Sequence, residues 1–173
     1  MITVVENFLS KEGADLVEHK ILSQSWHLDR KTTHEEGDNN PQFVMPLVMD
    51  GKVIQFNALV IAEVFKPKFN SMFGEKKLLR MKANLNVQHA QFEGNHYVIH
   101  VDDPILNCST AIYYVVDSDG DTFFFDDDEN VIKQITPKRN TLVYFDRQIK
   151  HAGSPPKKSF NRCVLNFVFE GIA

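Results

Sequence analysis

The sequence predicts a mainly β protein, an antiparallel sandwich or barrel with two helices packed outside it. Three observations carry that reading. From about Lys77 onward, short runs rich in Val, Ile, Tyr, Phe and Thr alternate with turn residues, the pattern of many short strands joined by tight connections. Before that point, apolar residues recur at helical spacing in two places. A chain of 173 residues with 43% hydrophobic residues and 14 Phe can bury one sizeable core. The expected organisation is one domain over 1–173, with a helical flank and loop at 1–75 and the β core at 76–173.

Taken in chain order, Ile2 to Val5 reads as a short strand, and Ser10 as the N-cap of a helix running to about Gln24. Ala14, Val17, Ile21 and Leu22 give that helix one apolar face. Trp26 and His27 begin an amphipathic strand, with Trp26 directed to the core. Residues 30–50 are polar at the start, hold His34, Glu35, Glu36 and Asp38, and contain two prolines, so a loop is expected. A second helix is expected from about Lys52 to Phe65, with Ile54, Ala58, Ile61 and Phe65 on one side and Pro67 ending it. Candidate strands follow at 79–91, 96–101, 109–116, 121–126, 130–135, 141–145 and 162–169. Ser118-Asp119-Gly120, the acidic run Asp126 to Asn130, and Pro137 to Asn140 supply turns between them.

Composition narrows the function classes. The net charge of −4 speaks against a nucleic-acid backbone binder, which would carry a basic face. Cys108 and Cys163 have no metal-ribbon spacing and read as reduced thiols. No run approaches the ~20 apolar residues of a membrane span, so no membrane association is expected. The opening MITVVENFLSKEG lacks a basic segment followed by a long apolar one. A cytoplasmic, reducing setting is therefore expected.

The candidate chemistry starts at NHYVIHVDDP, residues 95–104. In a strand, positions i and i+2 share a face, so His100 and Asp102 can reach one cavity while Asp103 turns away. Alone, the pair reads equally as a solvated strand end. His151 lies 51 residues on, in QIKHAGSPP, after the apolar run Thr141 to Phe145. Two imidazoles and one carboxylate would form a facial triad with open positions, suited to non-haem Fe(II). Arg162 opens the apolar run RCVLNFVF. An arginine there is either at a solvated strand start or holding an anion, for which its fork of donors fits a carboxylate. Tyr113 and Tyr114, in TAIYYVV, fall on opposite faces of a strand, and a buried hydroxyl needs a polar partner.

These pieces occur in a recognisable order: HVDD, TAIYYVVDSDGDTFFF, ITPKRNTLVYFDRQIKHAG and NRCVLNFVF, covering about 100–169. The series resembles the 2-oxoglutarate and Fe(II)-dependent oxygenases, prolyl-4-hydroxylase-like branch. The resemblance implies a double-stranded β-helix, or jelly-roll, barrel with N-terminal supporting helices. It implies that His100, Asp102 and His151 are the iron ligands and catalytic residues. By the same likeness Arg162 holds the distal carboxylate of 2-oxoglutarate, Tyr114 shares that carboxylate, and Ile112 walls the pocket, with Thr110 and Val164 as further lining. Relatives carry another tyrosine about ten residues before the H-x-D pair. Here Ala90 stands near that place, leaving Asn86, Gln88 or His89 to substitute. The implied cofactors are Fe(II), 2-oxoglutarate as cosubstrate and dioxygen, with ascorbate as reductant. The implied reaction decarboxylates 2-oxoglutarate to succinate and hydroxylates a C–H bond of a peptide or protein residue or a small metabolite. Phe123, Phe124, Phe125, Tyr144 and Phe145 are expected to supply dry wall. The competing reading is a non-catalytic jelly-roll binding or structural module with a vestigial metal site.

Overall fold

Two helices cover one face of a large antiparallel sheet, and a small sheet packs against part of the other face. The computed structural model describes residues 1–31, 33, 38, 40–102 and 108–170. In order the elements are β1 (Ile2–Val5), α1 (Lys11–Leu22), β2 (His27–Asp29), β3 (Gln42–Met49), β4 (Lys52–Val53), α2 (Asn57–Phe73) and β5 (Leu78–Val87). Then come β6 (Cys108–Tyr114), β7 (Thr122–Phe125), β8 (Val131–Ile135), β9 (Thr141–Asp146), β10 (Lys150–Gly153) and β11 (Asn161–Glu170). The large sheet runs β1-β9-β6-β11-β5-β3-β2, with β4 beside β3, and the small one runs β10-β7-β8. Every described pairing is antiparallel. This is the expected jelly roll with N-terminal helices.

The helices form where the apolar periodicity placed them. Ser10 caps α1, its hydroxyl accepting from the Gly13 N–H at 3.1 Å. Ala14, Val17 and Ile21 are buried, while Leu22 is exposed. In α2, Ala58, Ile61, Phe65 and Phe69 turn toward the sheet. Phe65 meets Tyr113 edge-on at 4.9 Å and Phe167 at 4.8 Å, and Phe69 meets Phe169 at 4.9 Å. Alternate residues of the sheet, among them Met81, Ala83, Leu165 and Phe167, complete this core.

The structure corrects three expectations. The supposed loop at 30–50 contains β3, which pairs with β2, β4 and β5. Its proline, Pro46, sits where the β3–β5 register shifts, a place where a missing donor is tolerated. The second helix starts five residues later than expected and continues through Pro67 to Phe73. Pro67 removes the donor for the Glu63 carbonyl, but both residues lie on the exposed face, where water can satisfy that carbonyl. Lys52 and Val53 instead pair as β4, and Ile54 is exposed. Finally, 96–101 is not a regular strand. Tyr97 donates to the Gly153 carbonyl at 2.7 Å, and His100 and His151 exchange backbone bonds of 3.0 and 2.9 Å as an isolated bridge. The His100 side has one residue more between these contacts than a regular ladder allows, as in a bulge.

Candidate functional site

The site forms on the face of β5, β6 and β11 turned away from the helices. On β11, Cys163, Leu165 and Phe167 enter the helix-side core, so Arg162, Val164 and Asn166 point the other way. On β5, Met81 and Ala83 face the helices, leaving Arg80, Lys82, Asn84 and Asn86 for the opposite side. The small sheet closes over part of this face. Phe124 of β7 packs with Ile112, Tyr114, Val143, Phe145 and Val164.

At one end stand His100, Asp102 and His151, whose donor atoms lie within 4.8 Å of one another. His100 Nδ1 lies 3.2 Å from the Val98 carbonyl and His151 Nδ1 lies 3.1 Å from the Ile149 carbonyl. A carbonyl can only accept, so each Nδ1 carries the proton and each Nε2 keeps a free lone pair. Asp102 is held on both oxygens: Arg80 Nη2 donates to Oδ1 at 2.5 Å and Asn166 Nδ2 to Oδ2 at 3.2 Å. Arg80 also donates to Asn166 Oδ1 at 3.2 Å, closing a ring of three side chains. Burial pushes the Asp102 carboxyl up, but His151, Arg80 and His100 outweigh it and hold the group below its ordinary range. Burial, reinforced by His100, pushes His151 down to about 4, so its imidazole is neutral at neutral pH. Two imidazoles and one ionised carboxylate, converging from one side, suit a divalent cation with positions left open for other ligands.

At the other end lies Arg162, 5% exposed. Its Nε donates to the Gly120 carbonyl and its Nη2 to Thr122 Oγ1, both at 2.8 Å. Among the described residues it has no carboxylate partner. A buried guanidinium with only neutral acceptors is half of an ion pair. Two glycines make the room for it: a Cβ on Gly120 would lie 2.6 Å from the Ser154 carbonyl, and one on Gly153 would lie 3.2 Å from the guanidinium. Between the two ends the cavity is lined by Asn84, Asn86, Tyr97, Ile112 and Val164. Asn84 Oδ1 and Asn86 Nδ2 are buried with no hydrogen-bond partner. The orphaned Asn86 donor, with Arg162, fits a dicarboxylate spanning the cavity toward the metal end, whereas the Asn84 oxygen would need a donor.

The sequence-predicted residues mostly converge. His100, Asp102, His151, Ile112 and Val164 stand where expected, and Arg162 faces the same cavity. Tyr114 is fully buried behind the wall, its hydroxyl donating to Thr122 Oγ1 at 2.8 Å, so it reaches Arg162 through Thr122. Thr110 is buried with its hydroxyl unpaired, away from the cavity lining. Gln88 donates to the Lys158 and Ser159 carbonyls and His89 lies beside Phe92, so of the three candidate substitutes only Asn86 lines the cavity. Tyr97, missed in the sequence, brings its hydroxyl near Asn86 and Arg162, and burial pushes that hydroxyl up to about 12. Of the expected dry wall, Phe124 and Phe145 flank His151, with ring centroids 6.2 and 4.9 Å away. Phe123 and Phe125 pack instead with Ala152 and Ile99, and Tyr144 stacks on Phe73 on the helix side. Asp103, Pro104 and the loop residues His34, Glu35 and Glu36 lie outside the described residues.

The family model of the 2OG-Fe(II) oxygenase superfamily matches residues 85–170, a span that includes all three candidate ligands and Arg162. No curated protein gives a significant sequence match. Among solved structures, an oxidoreductase of the 2OG-Fe(II) oxygenase family from Burkholderia pseudomallei superposes with a TM-score of 0.79 at 12% identity, covering 98% of this chain and 84% of that one. A prolyl-4-hydroxylase from Pseudomonas putida gives 0.64 at 13% identity, over 98% of this chain and 92% of that one. The epimerase SnoN, solved with Fe3+, alpha ketoglutarate and nogalamycin RO, gives 0.68 at 11% identity, over 98% and 78%. At such identities the likenesses establish the fold. The matched family model and the buried His-Asp-His group supply the rest: this chain belongs to the 2OG-Fe(II) oxygenase superfamily.

Proposed function

We propose that this oxygenase hydroxylates a C–H bond, in the manner of prolyl-4-hydroxylases, while 2-oxoglutarate is decarboxylated to succinate. One observation supports the reading most: His100 and His151, grouped with Asp102, line the same cavity as Arg162, which has no carboxylate partner among the described residues. In this assignment His100 Nε2, His151 Nε2 and one Asp102 oxygen hold Fe(II). The bound metal supplies dioxygen activation at its open positions. Arg162, steadied by Gly120 and Thr122, holds the distal carboxylate of 2-oxoglutarate, with Tyr114 acting through Thr122. Asn86 and Tyr97 offer polar atoms along its length. Phe124 and Phe145 keep water from the His151 side.

The test is anaerobic addition of Fe(II) and 2-oxoglutarate, read by the weak visible charge-transfer band of the chelated cosubstrate. A band in wild type, lost in His100→Ala, is expected, together with succinate release once oxygen is admitted. A saturated wild-type sample with no band and no succinate would sink the proposal. A pooled screen of peptides and metabolites for a 16-dalton mass gain, the mass of one oxygen atom, then separates hydroxylation from other oxidative outcomes.

A further inference from the structure

A second cation, unpaired among the described residues, lies beside the metal end. Lys82 is two residues from Arg80 and two from Asn84 on β5, so all three share the face turned away from the helices. Met81 and Ala83, on either side of it, are fully buried against the helical core and leave its stem no route there. Across the ladders its Cα partners are Asn166, which lines the cavity and touches Asp102, and Pro46 on β3. One strand spacing, about 5 Å, therefore separates Lys82 from a residue bonded to the candidate metal ligand.

The surroundings of this ammonium are unbalanced. Lys82 is only partly exposed, and burial, with Arg80 nearby, pushes it below the ordinary lysine range. Among the described residues it makes no hydrogen bond and no ion pair. Among the described residues, the carboxylates in its field are Asp102 and Asp29. Asp102 is engaged by Arg80 and Asn166, and Asp29 accepts from the Lys31 N–H. Among the described residues, three cations, Arg80, Lys82 and Arg162, thus share this face with two buried carboxylates, Asp102 at the metal end and Asp38 in the field of Tyr97. A divalent metal and a doubly charged cosubstrate would cancel each other and leave the excess in place. A partly desolvated, unpaired cation is costly to hold, and it stands ready to meet an anion.

We propose that Lys82, with Arg80 behind it, forms an oxyanion subsite for the primary substrate. It would take a carboxylate or a phosphate ester, whose oxidised carbon lies a few bonds from the charged group. Val44 and Pro46, on the same face of β3, offer an apolar wall for the carbon chain between. The inference rests on the oxygenase reading above, because it takes Arg162 to be occupied by the cosubstrate.

The test uses protein loaded with Zn(II) and saturating 2-oxoglutarate, so that Arg162 is filled and turnover is absent. Hexanoate, butyl phosphate and uncharged hexanamide are titrated in turn, with binding followed by ligand-observed NMR. The two anions should bind at least about tenfold more tightly than the amide. That preference should disappear in Lys82→Met and Lys82→Gln and persist in Lys82→Arg. The tighter of the two anions identifies the headgroup. Equal binding of anions and amide, no binding of any probe, or unchanged anion binding in both neutral variants overturns the subsite. The anaerobic Fe(II) and 2-oxoglutarate band separates the two claims. Its absence in wild type defeats the oxygenase reading, whereas its presence without anion preference defeats only the subsite. Its retention in the Lys82 variants shows that they are folded.

Discussion

The two faces of the large sheet are made by the same strands and behave as opposites. Along β5, Met81 and Ala83 pack against the helices while Arg80, Lys82, Asn84 and Asn86 look the other way. Along β11, Leu165 and Phe167 alternate with Arg162 and Asn166 in the same manner. The helix face is complete in itself, because its contacts are apolar and need no partner from outside. The other face is incomplete: among the described residues, Arg80 Nε, Asn84 Oδ1, Asn86 Nδ2 and Thr110 Oγ1 are buried without hydrogen-bond partners. Binding machinery here is the polar parity of strands whose other parity holds the protein together.

That contrast can be broken from either side. The largest effect is expected from His100→Ala. Turnover should fall to background, while the urea midpoint of the metal-free protein moves by less than that of an average core truncation, within about 1 kcal/mol. Arg162→Leu comes next. It should remove about 2–5 kcal/mol of 2-oxoglutarate binding, and the metal-free protein should be as stable as wild type or more so, since a buried unpaired charge is gone. Calorimetry and urea unfolding measure the two halves of that statement. Phe65→Ala tests the opposite face: a loss of about 3–5 kcal/mol in unfolding free energy is expected, with the metal affinity of the folded fraction unchanged. Arg80→Ala should weaken metal binding by about 10–100-fold, because Asp102 loses the partner that orients it. Competition with a chelator reads that change. The smallest effect concerns Asp119. Burial raises its carboxyl, but the N–H groups of Ser159, Lys158 and Lys157 outweigh this and hold it at about 2. Its contribution is present above the ordinary carboxylate value and is lost as pH falls through about 2. Asp119→Asn should therefore flatten the acid side of the stability profile between about pH 4 and 2.

How much of this was legible in the sequence follows from which residues stand out against their neighbours. His151 follows one apolar strand and Arg162 opens another, so each raised a question that a site can answer. The tripeptide His100 to Asp102 did the same, although the strand assumed beneath it reduces to a single backbone bridge. The polar parity of β5 is present in RMKANLN, but the alternation alone does not say which face meets a ligand and which meets solvent. β3 was hidden because PQFVMPLVM carries two prolines and follows a polar run. Local chemistry pointed to a loop, while pairing with β5 on one side and β2 on the other decided otherwise. Pro67 misled for the converse reason, since nothing local reveals that the freed carbonyl faces solvent. Tyr97 could not be found by spacing alone, because the extra residue between its contact and that of His100 shifts the side-chain parity.

The bridge between His100 and His151 has a consequence for which metals the protein can distinguish. The two imidazoles are fastened to each other through a pair of peptide groups, with bonds of 3.0 and 2.9 Å, before any ion arrives. Their bite is therefore fixed by the backbone and not by the ion. Adjustment to a larger or smaller radius would fall to Asp102, whose tethers are the Arg80 guanidinium and the Asn166 amide. A metal held there would meet two jaws set by the backbone and one arm set by side chains, and the stiffness of that arm would set how sharply divalent ions of similar charge are told apart.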